Sequence, residues 1–172
     1  MRLKPLLAFS FFVIFGATRV FACGCGSGSG PTTTFSEVTS ALNGSTAVFA
    51  GKVVGFEYRK GIPNEFMQSI QAQSDHPLEY ETKVVKFEVN QWWKLAATSV
   101  IYLVSDETKN TDGTGSSGGC DYPFKKGETY LVYARGTENE LRPSACSRTA
   151  PLNRAGEDLN VLGKGNEPVS SQ

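Results

Sequence analysis

The chain is short of the side chains that most often carry catalysis and metal binding. Among 172 residues there is a single histidine, His76, set in a polar stretch beside Pro77. That excludes a His-Glu-x-x-His zinc motif, which needs two histidines one helical turn apart. A surplus of either charge is missing as well, with 17 basic residues against 17 acidic ones. Broad binding to phosphate backbones draws on a basic surplus, so no nucleic-acid partner is expected. Beyond residue 22 no apolar run approaches the roughly 20 residues that a bilayer span takes, so no membrane span is expected either. Gly24, Gly26, Gly28 and Gly30 follow no strand pattern and lack the spacing of a phosphate loop, so they read as a flexible N-terminal segment. Asp121 and Glu128 sit near turn residues and read as solvated acids. Trp92-Trp93 reads as one core indole and one surface indole. No residue set for an enzyme emerges, and no cofactor is expected.

What the sequence does contain begins at its N-terminus. Arg2 and Lys4 precede an almost unbroken apolar run from Leu6 to Phe15, and Val20-Phe21-Ala22 follows with a small residue last. This is the three-part pattern of a secretory signal peptide, with cleavage expected after Ala22. Residues 1–22 hold Arg2, Lys4 and Arg19 and no acid, so the remainder keeps 14 basic residues against 17 acidic ones, a net charge of about −3. Length suggests one domain. All four cysteines, Cys23, Cys25, Cys120 and Cys146, follow the expected cut. An even number in an exported chain favours disulfides. A Cys23–Cys25 bridge would close a very tight ring, which disulfide geometry disfavours. Both N-terminal cysteines are therefore expected to reach across to Cys120 and Cys146, in either of two pairings. Each bridge would close a loop of about a hundred residues and contribute roughly 4–5 kcal/mol at most in the chain-entropy account. A four-cysteine zinc site is the rival, but zinc ribbons have ligands in two close pairs and here only one pair is close.

Thr34-Phe35-Ser36-Glu37 has the capping-box order, and Phe35, Val38, Ala41 and Leu42 recur at helical spacing until Asn43-Gly44. That predicts a short helix lying on the core. Ala47 to Phe56 reads as a strand, with Gly51 and Gly55 marking bulges or sharp bends. Residues 59–79 are polar, contain Pro63 and Pro77, and are expected to form an irregular excursion. Tyr80 to Val89 alternates with period two, with Val85, Phe87 and Val89 on the core face, and runs on towards Trp92-Trp93-Lys94. Ser99 to Val104 is a third strand, rich in β-branched residues. Ser105 to Gly119 reads as a second polar loop. Thr129 to Ala134 is the most apolar strand, and Asn139 to Leu141 is a short partner across a turn. Thr149-Ala150-Pro151 is expected to open a helix with proline in its first turn. Leu152, Ala155, Leu159 and Leu162 would form its apolar face and Gly163 its stop. Residues 164–172 look like a loose tail. About five strands with glycine-marked bends, and a helix near each end, predict a mainly β domain over residues 23–163. The expected architecture is a five-stranded OB-like Greek-key barrel. A β-sandwich, the alternative, usually needs about seven strands.

These pieces stand in a distinctive order. Cys23-Gly24-Cys25 is followed by a helix, by Ala47-Val48-Phe49-Ala50-Gly51-Lys52-Val53, by Val84 to Lys94 with its Trp-Lys ending, and by Gly119-Cys120-Asp121-Tyr122. Gly127 to Ala134 and Cys146-Ser147-Arg148-Thr149 complete it. In that order the chain resembles the N-terminal inhibitory domain of the tissue inhibitors of metalloproteinases, within the netrin-like (NTR) group of OB barrels, in a single-domain minimal form. The resemblance implies the pairing Cys23–Cys120 and Cys25–Cys146. It implies that Cys23 is the first residue of the mature protein, and that its α-amino nitrogen and carbonyl oxygen chelate the active-site zinc of a metalloproteinase. Gly24, Cys25, Gly119 and Cys120 would form the wedge around it. The position between the paired cysteines carries a hydroxyl side chain in the family and is Gly24 here. The implied function is that of a secreted metalloproteinase inhibitor with no metal of its own. A monomer is expected. Two other readings differ from this one. One is an NTR module that binds a protein or glycan without inhibiting, through its barrel face or residues 59–79 and 105–119. The other is a lipoprotein in which the lipobox-like Val20-Phe21-Ala22-Cys23 directs lipid to Cys23.

Overall fold

One apolar strand, buried from both sides, organises the fold. The structure, a computed structural model, describes Cys25 and residues 34–62, 65–73, 75–76, 79–95, 98–117 and 119–168. Strand β5 (Thr129–Thr137) turns Tyr130, Val132 and Ala134 to one side and Leu131 and Tyr133 to the other, and all of them are buried. A strand covered on both faces needs no hydrophobic alternation, which is why Thr129 to Ala134 is a continuous apolar run. Its inner face meets Phe49 and Val53 of β1 (Ala47–Lys60), Phe87 of β2 (Tyr80–Lys94), Leu103 of β3 (Val100–Asn110) and Leu141 of β6 (Glu140–Arg142). Its outer face is covered by α1 (Thr34–Gly44) and α3 (Gly156–Leu162) through Ala41, Leu42, Leu159 and Leu162.

Strand β1 pairs antiparallel with β2 from Val48 to Lys60 and with β5 over Ala47 to Lys52. It serves both neighbours because its register against β2 shifts between Val48 and Phe49, between Ala50 and Gly51, and between Val53 and Gly55. Each such shift bends the strand and increases its twist. The two glycines singled out in the sequence fall at two of these bends. Gly51 is required there, since a Cβ would lie 2.9 Å from the Glu88 carbonyl oxygen and 3.3 Å from the Phe49 ring. Strand β2 pairs antiparallel with β3, β3 runs parallel to β6 at Leu103 and Leu141, and β6 returns antiparallel to β5. The pairings therefore run from β1 through β2, β3, β6 and β5 back to β1, a closed sheet.

Where residues have no core to face, hydrophobic patterning ends before the strands do. Strand β1 runs to Lys60 rather than Phe56, and β3 to Asn110 rather than Val104. Inside the stretch expected to be loop, β4 (Gly115–Ser116) pairs back onto β3. Residues 59–79 hold a short helix, α2 (Glu65–Gln71), with Met67 buried. The helix expected at Thr149–Pro151 starts later. Ala150–Pro151 instead form β7 against Leu131 and Tyr130, Leu152–Arg154 make a single 3-10 turn, and α3 begins at Gly156. In α1 the buried residue is Val38, whereas Phe35, placed by its spacing on the core face, is 66% exposed. Residues 165–167, assigned by composition to a loose tail, run back against β2. Asn166 and Trp92 exchange two backbone hydrogen bonds, at 2.8 and 2.9 Å. The expected signal segment 1–22 and residues 169–172 lie outside the described residues. Among the described residues no helix is long and apolar enough to cross a membrane.

Candidate functional site

The expected chelating residue Cys23 and the first wedge residue Gly24 lie outside the described residues, while the other wedge residues, Cys25, Gly119 and Cys120, are described and exposed. Cys25 is bonded to Cys146, with Cα atoms 5.0 Å apart across a sequence separation of 121. This is one of the two pairs that the resemblance implies, and no described cysteine is free. The Cys146 loop lies against the Cys120 loop, with the Ala145 N–H donating to the Cys120 carbonyl at 2.7 Å. Cys25, Cys120 and Cys146 thus converge on one exposed edge, although Cys120 belongs to the connection between β4 and β5 and Cys146 to that between β6 and β7.

Two anchors hold the Cys120 side. Tyr122 and Phe124 insert into the inner core. Phe124 stacks edge-on to Phe87 and Tyr130, with ring centroids 5.1 and 5.0 Å away, and Tyr122 lies 4.7 Å from Phe124. Asp121, read from the sequence as a solvated acid, is instead turned inward. Its Oδ2 accepts from the Ser105 hydroxyl, from the Asp106 N–H at 2.9 Å and from the Glu107 N–H at 3.3 Å. Its Oδ1 is buried and has no hydrogen-bond partner among the described residues. Burial pushes the Asp121 carboxyl above the usual aspartate range, and the Asp106 carboxylate adds to this, against the opposing effect of the Ser105 hydrogen bond. Beside it, burial disfavours ionised Glu107, but hydrogen bonds from Lys83 and Tyr58, both at 2.6 Å, outweigh burial and hold that carboxyl below the usual glutamate range.

The Cys146 side is held by a polar network. The Thr149 hydroxyl accepts the Tyr133 N–H at 2.9 Å. Arg148 donates through Nε and Nη2 to both carboxylate oxygens of Asp158, at 2.9 and 2.6 Å, and through Nη1 to Glu37 at 2.8 Å. The Tyr133 hydroxyl also donates to Asp158, at 2.8 Å. The loop next to Cys146 is thereby tied to α1, α3 and β5 together. The fork-to-carboxylate geometry is the strong form of this interaction.

The other residues singled out in the sequence lie elsewhere. His76 is exposed in the connection between β1 and β2. Trp92 and Trp93 are both half-buried, not one inside and one outside. They pack on opposite sides of the sheet and donate their indole N–H groups to Glu167 and Gly163 carbonyls, at 3.3 and 3.0 Å. Glu128 accepts from the Tyr130 hydroxyl at 2.7 Å. Gly115-Ser116-Ser117-Gly118-Gly119 has the residue spacing of a hydrolase nucleophile elbow. Its first two residues are themselves the short strand β4, and it leads to no described helix before β5, so it lacks the strand-to-helix turn that exposes such a serine. Tyr122 separates two depressions beside the cysteine edge. One, of about 320 Å³, lies between Lys83, Glu107, Asp121 and Phe124, and the other, of about 840 Å³, between Lys125, Tyr130, Leu152 and Arg154. Among the described residues no group of three or more His, Cys, Asp or Glu side chains is placed to hold a metal. Sequence reasoning missed Asp121 as a support of the site, because its donors lie 14 to 16 residues away and leave no local pattern. Compared with known protein families and with curated proteins, the chain matches none.

Proposed function

We propose that the protein is a secreted inhibitor of zinc metalloproteinases, built on the plan of the N-terminal domain of the tissue inhibitors of metalloproteinases. The observation that carries this reading is the Cys25–Cys146 disulfide on an edge shared with Cys120. It fixes a residue two positions beyond the expected N-terminal Cys23 onto the loops after β4 and β6. Five strands pairing in a closed ring are also what a small Greek-key barrel of the OB type requires.

On this reading, cleavage after Ala22 creates the α-amine of Cys23, and a Cys23–Cys120 bridge holds it at the edge. An α-amino group titrates near pH 7.7–8, so the neutral form with its free lone pair is accessible at modest cost. The amine nitrogen and the Cys23 carbonyl oxygen take two positions on the protease zinc and displace the water that the metal activates. An edge cross-linked before binding loses less conformational freedom on association. Gly24 leaves the specificity pocket of the protease unfilled, so affinity rests on the chelate and on backbone contacts.

The mass of the exported protein, followed by titration against a panel of zinc metalloproteinases, tests this. The expected result is a chain beginning at Cys23 with an unmodified amine, all cysteines oxidised, and stoichiometric inhibition. A lipid adduct on Cys23 would identify a lipoprotein instead. Correct processing without inhibition of any panel member would reject the inhibitor and leave a protein- or glycan-binding NTR module.

A further inference from the structure

We infer that Asp121 is a positioning residue that sets where the Cys120 edge stands relative to β3. The pairing of β2 with β3 breaks locally. Thr82 lies opposite Thr108 and Val84 opposite Val104, so three residues of β3, Ser105, Asp106 and Glu107, face the single residue Lys83. Bulged residues leave the ladder and need other partners for their N–H groups. One oxygen of Asp121 supplies that partner for Asp106 and Glu107 and also takes the Ser105 hydroxyl. The Ser105 oxygen in turn accepts the Glu107 N–H at 3.0 Å, so the three donors form one connected unit. The two carboxylates of the bulge are committed elsewhere, Asp106 to Arg142 at 2.9 Å and Glu107 to Lys83 at 2.6 Å.

Asp121 directly follows Cys120, whose carbonyl takes the Ala145 N–H from the Cys146 loop. A shift of Asp121 against the bulge therefore moves both loops that carry the far cysteines. Burial of a carboxylate with one oxygen unpartnered among the described residues opposes folding, so stability by itself does not favour an acid here. What the position uses is a short side chain ending in an acceptor that three donors can share. Asparagine offers the same acceptor and length without the charge, and alanine offers neither.

The consequence for inhibition rests on the function proposed above, while the consequence for the loop does not, and the two are measured separately. Amide hydrogen exchange is followed in the full mature protein and in its Asp121→Ala, Asp121→Asn and Asp121→Leu variants, alongside inhibition of a metalloproteinase. Asp121→Ala should speed exchange of the Asp106, Glu107 and Ala145 amides about tenfold or more, the size expected for loss of charge-assisted hydrogen bonds, while Leu131 and Val132 stay protected. Asp121→Asn should restore protection to within about threefold, whereas Asp121→Leu, which keeps the branched shape but has no acceptor, should leave exchange as fast as in Asp121→Ala; recovery in the leucine variant would mean that the position only fills space. Unchanged exchange at Ala145 in a folded Asp121→Ala variant would overturn the inference. If that variant does not fold, Ser105→Ala decides instead. It must loosen the same amides in the same direction, and unchanged exchange there would equally overturn it. Loosened amides in a protein that inhibits nothing would uphold the positioning role and reject the inhibitor reading.

Discussion

Two phenols, Tyr58 and Tyr130, each donate to a glutamate, Glu107 at 2.6 Å and Glu128 at 2.7 Å. The Glu107 hydrogen bond followed by burial pushes Tyr58 up to about 12, and burial followed by the Glu128 hydrogen bond pushes Tyr130 up to about 12, from an ordinary 10.0. The folded chain holds these protons to higher pH than the unfolded chain does. Their contribution is therefore fully present below the ordinary phenol value and is lost as pH rises through about 12. Urea midpoints measured upward from neutral pH should stay level on this account until the phenol range and then fall. The Tyr58→Phe, Tyr130→Phe double variant should fall less over the same range, and an equal fall in both would contradict the assignment. Tyr58 is 41% exposed, so Tyr130 should carry the larger share. At this scale the sequence is least legible. Alternation placed Phe87 in the core, but nothing local distinguishes Asp121, with its donors on β3, from an acid in an open turn. Phe35 shares the helical spacing of Val38, Ala41 and Leu42, yet it is exposed while Val38 is buried, because the docking of α1, and not its period, decides how far the apolar stripe is covered.

Helices α1 and α3 are joined at their common edge by Arg148, which lies on neither. Its guanidinium spans Glu37 of α1 and Asp158 of α3, and the Asp158 side chain is only 9% exposed. Arg148→Ala leaves a nearly buried carboxylate with the Tyr133 hydroxyl and no cation. The expected loss is about 2–4 kcal/mol, below that of a fully buried pair because Arg148 is partly solvated. Urea denaturation of the variant measures it. A loss under about 1 kcal/mol, the scale of a surface pair, would mean that the network is ornamental. Elements with a core face were readable from period alone, as in Val85, Phe87 and Val89. The outer halves of β1 and β3 were not, because Tyr58, Arg59 and Lys60 pair with Lys83, Thr82 and Glu81 beyond the core, where polar residues serve on both faces. Pro151 misled for a related reason. A proline suits a helix start and an edge strand equally, and pairing with Tyr130 selects the strand.

The whole molecule depends on contacts between residues far apart in sequence. The ring closes where Leu103 meets Leu141 and where β1 bends to meet both β2 and β5. The bends were announced by Gly51 and Gly55, but the choice of neighbours was not, since strand order is written in no local pattern. The cross-chain reach of the N-terminal cysteines followed from elimination, and the pairing of Cys25 with Cys146 agrees with it. That disulfide closes a loop long enough to stabilise the fold by up to about 5 kcal/mol in the chain-entropy account, and it brings Cys25 to the edge shared by Cys120 and Cys146. The central claim is that a free amine on Cys23 at this edge binds a protease zinc. It is tested most directly by comparing inhibition by the protein that begins at Cys23 with inhibition by the same protein carrying one alanine before Cys23. The extended form should be weaker by at least about a hundredfold, because the chelate contributes several kcal/mol and the added residue removes the terminal amine from its place. Equal inhibition by the two forms would contradict the claim.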